Sequence, residues 1–562
     1  MPHSSPFPSE EIRVETVHEK LLSVIREQIV KDPLKLVAVS AHDERRRLSY
    51  ADLVKQSRRF QAFLQSIGLK QGDILTFIIN NCIESLVLFL GTWLAGGAIS
   101  GASALFTSYE FERQISDSRS TFVVTDSAHL KTVLETKEKY NFIKTIICIR
   151  DADSAPLPKG VIDWADALKC APAAEDDYAK SCPRSMASLP YSSGTTGTPK
   201  GVIHSHISVG ASAALYKRYF ELGFGQVLEG KDFSWKSEHF LFNMPVSHLF
   251  ASLTLMTSLL SGSTAVIMAG FEPNLYLSTI QKYRIRVLYM SPPLLTWLLK
   301  DATPASSDFS SVKIIMVGGA CVSTAISDAV LARFPTLRVI AQGFGMSEVS
   351  ACSNISDVSL EKPHINIGPP LPNIECKVID VETGDELPDG DVGEFCIRWP
   401  SLMTGYLNRP DETAEIIDSD KWLHTGDSCF SDSAGRITIV GRYKELIKVR
   451  VNAATSNQVS PFEIEGVLLS HPLVREAAVV GIPDPDFEGL ELISAFIVRQ
   501  SEATSLSADI LHELVKEKLA AFKRLSGGVF FIDDLPKNVT GKILRKTLKE
   551  MALAQATDSV TF

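Results

Sequence analysis

The sequence lacks several features that would assign it to familiar classes of protein. Its nine cysteines, spread from Cys82 to Cys429, form no C-x-x-C pair and no cluster with histidine. We therefore expect reduced thiols rather than a disulfide framework or a zinc site. Lysine and arginine (56) are fewer than aspartate and glutamate (66), giving a net charge of −10. This balance argues against nucleic acid as the main partner, which would need a basic face.

Targeting signals and unbroken hydrophobic segments are also lacking. The N-terminal MPHSSPFPSEEIRVE has no apolar core, and the C-terminal Val560-Thr561-Phe562 is not the S-K-L peroxisomal signal. An intracellular, cytoplasmic location is therefore expected. Residues 85–109 and 239–271 are uncharged apart from histidine and are long enough to span a bilayer. Glycine and proline interrupt both, so we predict a buried helix running into a buried strand and no transmembrane segment.

Alternation of strand-like and helix-like segments predicts an α/β fold. A chain of 562 residues exceeds one compact core, so at least two domains are expected. Short β-rich runs alternate with stretches of helical spacing, which indicates parallel sheets covered by helices. The runs are LVAVS (36–40), ILTFII (74–79), FVVT (122–125), TIICI (145–149), AVIM (265–268), VLYM (287–290), KIIMVGG (313–319) and RVIAQGF (338–344). Helices are predicted at 50–67 and 274–283.

The pattern changes twice towards the C-terminus. Closely spaced strands within 363–398 predict a small antiparallel, β-barrel-like unit. A later helix over 507–523, with Ser507 as its N-cap and Ile510, Leu511, Leu514, Val515 and Leu519 on one side, predicts a separate α+β domain. We assign 1–441 to a large domain and 442–562 to a small domain.

The segment YSSGTTGTPKGV at 191–202 is the clearest indication of chemistry. Its glycines allow backbone N–H groups to approach phosphate oxygens, its hydroxyls add donors, and Lys200 adds positive charge. Pro199 stands where a Walker A loop would need glycine, so the P-loop NTPase interpretation fails. A Ser/Gly-rich surface linker is the remaining alternative for this segment alone.

Six segments in order resemble the adenylate-forming superfamily of acyl- and aryl-CoA synthetases, 4-coumarate–CoA ligases, beetle luciferases and peptide-synthetase adenylation domains. They are YSSGTTGTPKGV (191–202), PVSHLF (245–250), QGFGMSE (342–348), HTGD (424–427), GRYKELIK (441–448) and LPKNVTGKILRKTLK (535–549). The resemblance extends from about Leu48 to Leu548. It implies an acid–thiol ligase that adenylates a carboxylic acid, releases pyrophosphate and passes the acyl group to CoA. ATP, Mg²⁺ and CoA are the implied cofactors and small-molecule partners.

The resemblance also implies roles for individual residues. Phe344 would stack on adenine, Ser347 would contact phosphate, and Asp427 and Arg442 would reach the ribose. The implied nucleotide-binding set is Ser192, Ser193, Gly194, Thr195, Thr196, Gly197, Thr198, Lys200, Gly319, Ala320, Gln342, Gly343, Phe344, Ser347, Asp427 and Arg442. The implied metal ligands are Glu348 and Thr196, and the implied catalytic residues are Lys542, His248 and Thr196. Taken alone, a histidine in an apolar stretch such as His248 is more often a core residue.

Transfer to CoA depends on the small domain. The resemblance implies a domain rotation about Lys444, with Lys448 and Gln458 near the thiol. The segment between Lys448 and Gln458 lacks the usual glycine and is about five residues longer than the family spacing, an insertion that loops tolerate. An adenylation-only enzyme and a luciferase-like oxygenase therefore remain alternatives to CoA ligation, as do a non-catalytic protein of this fold and a membrane-embedded protein.

The acid is only partly constrained. The acyl pocket is expected between the His248 segment, VGGAC at 317–321 and residues 341–343. Phe250 is followed by Ala251-Ser252-Leu253, without the aspartate that binds the α-amine in peptide-synthetase domains. The lining is apolar, which favours an aryl or a medium- to long-chain fatty acid.

Overall fold

A computed structural model describes most of the chain. The described residues are 2–151, 155–178, 180–192, 199–228, 233–301, 304, 307–319, 322–350, 352–450, 456–485, 487, 490–500, 505–538 and 541–558. Only the backbone is described for Lys444 and for residues 456–458 and 555–558.

Sixteen α-helices lie within the described residues. They are α1 (Val17–Lys31), α2 (Tyr50–Ser66), α3 (Glu84–Leu94), α4 (Ser108–Ser118), α5 (Leu130–Lys139), α6 (Trp164–Ala167), α7 (His206–Tyr219), α8 (Gly225–Leu228), α9 (Leu249–Ser261), α10 (Pro273–Tyr283), α11 (Pro292–Lys300), α12 (Thr324–Arg333), α13 (Pro410–Ile416), α14 (Pro461–Leu469), α15 (Ala508–Lys518) and α16 (Arg545–Asp558). The two helices predicted at 50–67 and 274–283 coincide with α2 and α10 to within one residue.

The strands likewise follow the predicted β-rich runs. They are β1 (His3–Ser4), β2 (Leu36–Ser40), β3 (Arg47–Ser49), β4 (Ile74–Ile78), β5 (Ala98–Ala102), β6 (Phe122–Asp126), β7 (Thr145–Ile149), β8 (Val161–Asp163), β9 (Met186–Ser188), β10 (Tyr191–Ser192), β11 (Lys200–Ser205), β12 (His239–Phe242), β13 (Thr264–Ile267), β14 (Val287–Met290), β15 (Ile314–Gly318), β16 (Val339–Phe344), β17 (Asn354–Ile355), β18 (Glu375–Ile379), β19 (Gly393–Arg398), β20 (Gly405–Tyr406), β21 (Leu423–Ser431), β22 (Ile437–Arg442), β23 (Ile447–Arg450), β24 (Ser456–Val459), β25 (Val474–Pro483), β26 (Glu491–Arg499) and β27 (Val529–Phe531).

Three largely parallel sheets form the first part of the chain. One has the order β10-β11-β9-β5-β4-β6-β7-β8, with β20 also paired to β11. The others have the orders β12-β13-β2-β3 and β14-β15-β16-β17. Their central strands are buried and rich in Val and Ile, as expected when helices cover both faces of a parallel sheet. The predicted fold class is confirmed.

The two long uncharged stretches are internal elements of these sheets. Residues 85–109 supply most of α3, all of β5 and the start of α4, and residues 239–271 supply β12, α9 and β13. Every residue of α3 from Ser85 to Leu94 is buried. Within the described part of the chain, no helix combines the length and apolar character needed to cross a membrane.

The predicted antiparallel unit is a five-stranded sheet with the order β1-β18-β19-β21-β22. Its first strand, His3–Ser4, comes from the N-terminus, which the sequence pattern had not indicated. The sheet ends at Arg442, one residue past the predicted domain boundary, and a single 3-10 turn (Tyr443–Glu445) follows.

The remainder forms a smaller α+β unit around β25, β26 and β27. The predicted helix over 507–523 is too long: α15 ends at Lys518, and a 3-10 turn occupies Ala521–Lys523. Ser507 is the N-cap, with its hydroxyl accepting a hydrogen bond from the backbone of Ile510. Leu511 and Val515 are buried as expected, but Ile510 is 41% exposed because it lies in the first turn, away from the face that packs on α14.

Candidate active site

The predicted phosphate segment is a β-hairpin. Strands β10 and β11 pair so that Tyr191 lies opposite Gly201 and Ser192 lies opposite Lys200. The connecting residues 193–198, which include Thr195 and Thr196, lie outside the described residues. At the hairpin's edge, the Ser192 hydroxyl is buried and has no hydrogen-bond partner among the described residues. A donor in that state is suited to a ligand that supplies an acceptor.

Charged side chains connect the two strands of this hairpin at its base. Tyr191 donates a hydrogen bond to Asp117 of α4 (2.8 Å), and Arg409 pairs with the other oxygen of Asp117 (3.1 Å). Arg409 also lies 3.8 Å from Glu412, which forms an ion pair with Lys200. These contacts connect Tyr191 of β10 to Lys200 of β11 through Asp117, Arg409 and Glu412, so they hold the two strands of the hairpin together.

Tyr406 links Lys200 to Glu348. The ammonium of Lys200 lies 4.9 Å from the centre of the Tyr406 ring, within cation–π range. The Tyr406 hydroxyl donates a hydrogen bond to Oε1 of Glu348 (2.8 Å). Lys200 and Glu348 are both buried, although the sequence separates them widely. Tyr406 belongs to none of the six motifs, and only its tertiary contacts identify it as part of the candidate site.

A buried histidine holds the segment that carries Ser347 and Glu348. Nε2 of His204 lies 2.7 Å from the carbonyl oxygen of Ser347, and Nδ1 lies 2.8 Å from the Ser350 hydroxyl. A carbonyl only accepts, so Nε2 carries the proton and Nδ1 accepts from Ser350. Burial lowers the pKa of His204 to about 4, so the ring is neutral at physiological pH. His204 likewise belongs to none of the six motifs, so the sequence did not indicate it.

Strand β16 brings the third motif to the same region. Gln342 is buried, and its amide accepts from the backbone of Val322 (3.0 Å) and donates to the carbonyl of His364 (2.6 Å). Both polar groups of the Gln342 side chain are therefore bonded within the protein. A Cβ on Gly343 would lie 2.6 Å from the Met316 methyl group, so a larger residue there would require the Met316 side chain to shift. Phe344 is partly buried.

Further along that motif, the Phe344 ring packs edge-on against Phe395 at 5.2 Å. Gly319 adopts a left-handed conformation (φ +90°) just after β15, and Ala320 lies outside the described residues.

Asp427 and Arg442 lie opposite each other on β21 and β22. Nε of Arg442 is 3.1 Å from Oδ1 of Asp427, whereas Oδ2 is buried without a hydrogen-bond partner among the described residues. Burial raises the pKa of Asp427 to about 6 despite the opposing charges of Arg442 and Lys542. A buried, half-satisfied carboxylate is costly, and such groups cluster at functional sites.

Lys542 lies near this carboxylate. It follows Gly541, whose φ of +81° favours glycine, in a turn closed by Asn538: the side chain and backbone of Asn538 contact the backbone of Lys542 at 2.9 and 2.8 Å. The side chain keeps accessible surface, yet desolvation and then the charge of Arg442 lower its pKa. The turn therefore presents one lysine, on which the charge of Asp427 acts. Residues 539–540 of this motif lie outside the described residues.

His248 precedes α9 as its N-cap residue. The imidazole remains accessible, but the surrounding protein lowers its pKa by desolvation. It is therefore not the buried core residue that an apolar context alone would favour. Two residues later, the Phe250 ring lies 3.9 Å from where a Cβ on Gly318 would be, and Gly318 pairs with Gly343. The three segments predicted to surround the acid thus meet.

The donor set at Glu348 fits a magnesium ion. Tyr406 occupies Oε1 of this carboxylate, and no hydrogen bond to Oε2 is recorded among the described residues. Carboxylate oxygen is the ligand type that Mg²⁺ takes from proteins, commonly with phosphate oxygens and water completing the octahedron. Such an ion would neutralise developing charge on phosphate. The second predicted ligand, Thr196, lies outside the described residues.

Two family models match the chain. The model for AMP-binding enzymes matches residues 25–407, and the model for their C-terminal domain matches residues 463–542. The chain belongs to the AMP-binding enzyme family. The predicted membership of the adenylate-forming superfamily is confirmed.

Named relatives of this AMP-binding enzyme include plant ligases. 4-Coumarate–CoA ligase 1 of Arabidopsis thaliana is 32% identical over 511 residues, covering 89% of this chain and 87% of that protein. 4-Coumarate–CoA ligase 3 of Oryza sativa subsp. japonica is 33% identical over 522 residues, covering 91% and 88%.

Solved structures share the fold. The anthranilate CoA ligase AuaEII in complex with anthranoyl-AMP has a TM-score of 0.84 at 23% identity, covering 97% of this chain and 98% of that one. ATP-bound MatB from Rhodopseudomonas palustris has a TM-score of 0.81 at 25% identity, covering 96% and 99%.

The unusually long segment after the turn at Lys444 belongs to a second hairpin. Strands β23 and β24 pair from Ile447 opposite Val459 to Arg450 opposite Ser456, and Lys448 lies opposite Gln458. The connecting residues 451–455 and the Gln458 side chain lie outside the description. The extra length therefore falls between paired strands and leaves their register uninterrupted.

Proposed function

We propose that this enzyme is an ATP-dependent aryl acid–CoA ligase whose substrate carries a polar substituent on its ring. The observation that carries the substrate class is the buried hydroxyl of Tyr289, which lacks a hydrogen-bond partner among the described residues. The hydroxyl of the neighbouring Tyr216 contacts the thiol of Cys352. Both rings pack against Phe250, at 6.1 and 6.4 Å between centroids. The aryl acids named for the curated relatives point the same way.

The first half-reaction is attack of the carboxylate on the α-phosphorus of ATP, with release of pyrophosphate. Catalysis of this step is mainly electrostatic and positional, because the developing charge lies on phosphate oxygens. Lys200 and Lys542 supply positive charge, and Ser347 supplies a hydroxyl. Asp427 is assigned to the ribose hydroxyls because its unpartnered buried oxygen needs donors.

The acid lies, in this proposal, between His248 and the glycine pair Gly318–Gly343. Phe250 borders that space, and the rings of Tyr216 of α7 and Tyr289 of β14 pack edge-on against it. Burial holds the pKa of both tyrosines well above its usual range, so each remains an O–H group able to donate. A purely aliphatic chain would leave the Tyr289 hydroxyl unsatisfied, whereas a polar group on a ring would pair with it.

Transfer to CoA is the second half-reaction. The regular pairing of β23 with β24 favours it over an adenylation-only enzyme, because the register of the strands that carry Lys448 and Gln458 is unbroken from Ile447 opposite Val459 to Arg450 opposite Ser456. The small domain would rotate about Lys444, on the short turn after β22, between the two steps.

The test is an acid panel of 4-coumarate, cinnamate, octanoate and hexadecanoate, assayed for AMP and acyl-CoA with and without CoA. We expect acyl-CoA formation with 4-coumarate faster than with cinnamate, and little with either fatty acid. Tyr289→Phe should reduce the preference for the hydroxylated acid about fivefold, the value of one neutral hydrogen bond.

The matched control is Tyr276→Phe, because the buried Tyr276 hydroxyl also has no hydrogen-bond partner among the described residues. Its ring packs on Phe271 and Trp297, in another core. Tyr276→Phe should leave acid preference unchanged. Faster turnover of a fatty acid would contradict the substrate class. Acid-dependent pyrophosphate exchange without any thioester would contradict CoA transfer.

A further inference from the structure

Tyr406 makes two different contacts with two groups that the proposed function uses. Its ring faces the ammonium of Lys200 at 4.9 Å, and its hydroxyl lies 2.8 Å from Oε1 of Glu348. A carboxylate oxygen accepts, so the Tyr406 hydroxyl is the donor in this bond. One side chain therefore contacts a cation with its face and an anion with its edge.

The surrounding backbone fixes this tyrosine. Strand β20 pairs with β11, so that Tyr406 lies opposite Val202, two residues beyond Lys200. The backbone N–H of Tyr406 donates to the Thr413 hydroxyl (2.9 Å) at α13. The ring is 8% exposed, within an apolar cluster that includes Val202 and Met403. Its position is therefore set by the fold and not by the groups it contacts.

The contacts constrain both partners. Lys200 is held between the Tyr406 ring and the carboxylate of Glu412, which limits the conformations of a long side chain. Glu348 is buried, and its Oε1 is bonded to Tyr406, whereas no described residue forms a hydrogen bond with Oε2. A lysine and a carboxylate fixed to the same ring keep a constant separation, which matters when both act on the phosphates of one nucleotide.

We propose that Tyr406 is a positioning residue that sets the separation between Lys200 and the carboxylate of Glu348 for adenylation. The ring acts on nucleotide binding through Lys200, and the hydroxyl acts on the metal-dependent step through Glu348. This inference rests on the proposed function, in which those two groups bind phosphate and Mg²⁺.

Two substitutions separate the ring from the hydroxyl. Tyr406→Phe keeps the ring and removes the donor, and Tyr406→Leu removes both. For Tyr406→Phe, we expect the kcat of acid-dependent ATP–pyrophosphate exchange to fall about tenfold, because a hydrogen bond to a charged group is lost. The KM for ATP should stay within about twofold, and the half-saturating Mg²⁺ concentration should rise.

The second readout needs no metal and no turnover. Calorimetry of ATP binding in EDTA should give Tyr406→Phe the dissociation constant of the wild-type enzyme. Tyr406→Leu should bind about fivefold more weakly, the size of one partly desolvated cation–π contact. Met403→Leu, in the same apolar cluster, is the control for packing and should match the wild type in both assays.

Two results would overturn the proposal. One is a Tyr406→Phe enzyme with unchanged kcat and Mg²⁺ requirement. The other is equal metal-free ATP affinity for the Phe and Leu variants. Absence of exchange in the wild type would contradict the proposed function instead, and the metal-free comparison would still decide the role of the ring.

Discussion

The buried carboxylate of Asp427 predicts a specific pH dependence of nucleoside binding. Its pKa is raised from 3.8 to about 6, first by burial. If the ionised form accepts the ribose hydroxyls, protonation below pH 6 removes the acceptor. The apparent affinity should then be constant above pH 7, halve near pH 6 and fall about tenfold near pH 5, as one titrating group requires.

Adenosine is the ligand of choice for this measurement because it has no phosphate that titrates in the same range. Its dissociation constant should be measured by calorimetry from pH 5 to 8. Asp427→Asn should bind more weakly at pH 8, by about tenfold or more for a lost charged acceptor, and should show no inflection near pH 6. Asp432→Asn is the matched control, since that carboxylate lies on the same strand region but pairs with Arg436 and has a lowered pKa.

The same shift affects stability with a defined sign. The folded-state pKa of Asp427 exceeds its ordinary value, so the folded protein binds this proton more tightly than the unfolded chain. The resulting stabilisation is complete below about pH 4 and is lost as pH rises through 6, amounting to about 3 kcal/mol. The difference in melting temperature between Asp427→Asn and the wild type should therefore be more in favour of the variant at pH 8 than at pH 4. A flat adenosine profile in the wild type, or an unchanged inflection in Asp427→Asn, would refute the reasoning.

Two other substitutions test groups around the nucleotide. Lys542→Ala should lower acid-dependent pyrophosphate exchange by roughly two to three orders of magnitude, because it removes a positioned cation. Substitution of the exposed Lys546 by alanine is the control and should leave exchange unchanged. Undiminished exchange in Lys542→Ala would exclude the assignment of Lys542 as the catalytic lysine. His204→Leu leaves the carbonyl of Ser347 unpaired and should lower the unfolding free energy by about 1–3 kcal/mol together with kcat. His204→Gln, which can still donate to that carbonyl, should recover much of both, and equal losses in the two variants would contradict a positioning role.

Several local features followed directly from the sequence. Runs such as LVAVS at 36–40 and VLYM at 287–290 coincide with β2 and β14, because a buried parallel strand needs a continuous apolar run. The N-cap at Ser507 followed from its hydroxyl preceding an amphipathic stretch. The helix it starts ended five residues early, at Lys518, because periodicity does not reveal where tertiary packing stops supporting a helix.

The residues of the candidate site likewise fall into two groups: those that the sequence indicates and those that only the tertiary structure identifies. Lys542, Asp427 and His248 belong to short ordered motifs whose residue types indicate adenylate chemistry without a structure. Tyr406 and His204 belong to no motif, and their importance appears only when folding brings them to Glu348 and Ser347.

The sequence by itself therefore determined the fold class, the family and the identity of the charged groups, because these depend on local periodicity and on residue types at fixed spacing. The tertiary structure decided which groups touch: the tyrosine between Lys200 and Glu348, and the unpartnered oxygen of Asp427. It also packed the rings of Tyr216 and Tyr289 against Phe250. Contacts between residues far apart in the chain depend on how sheets and helices pack, which no local pattern encodes.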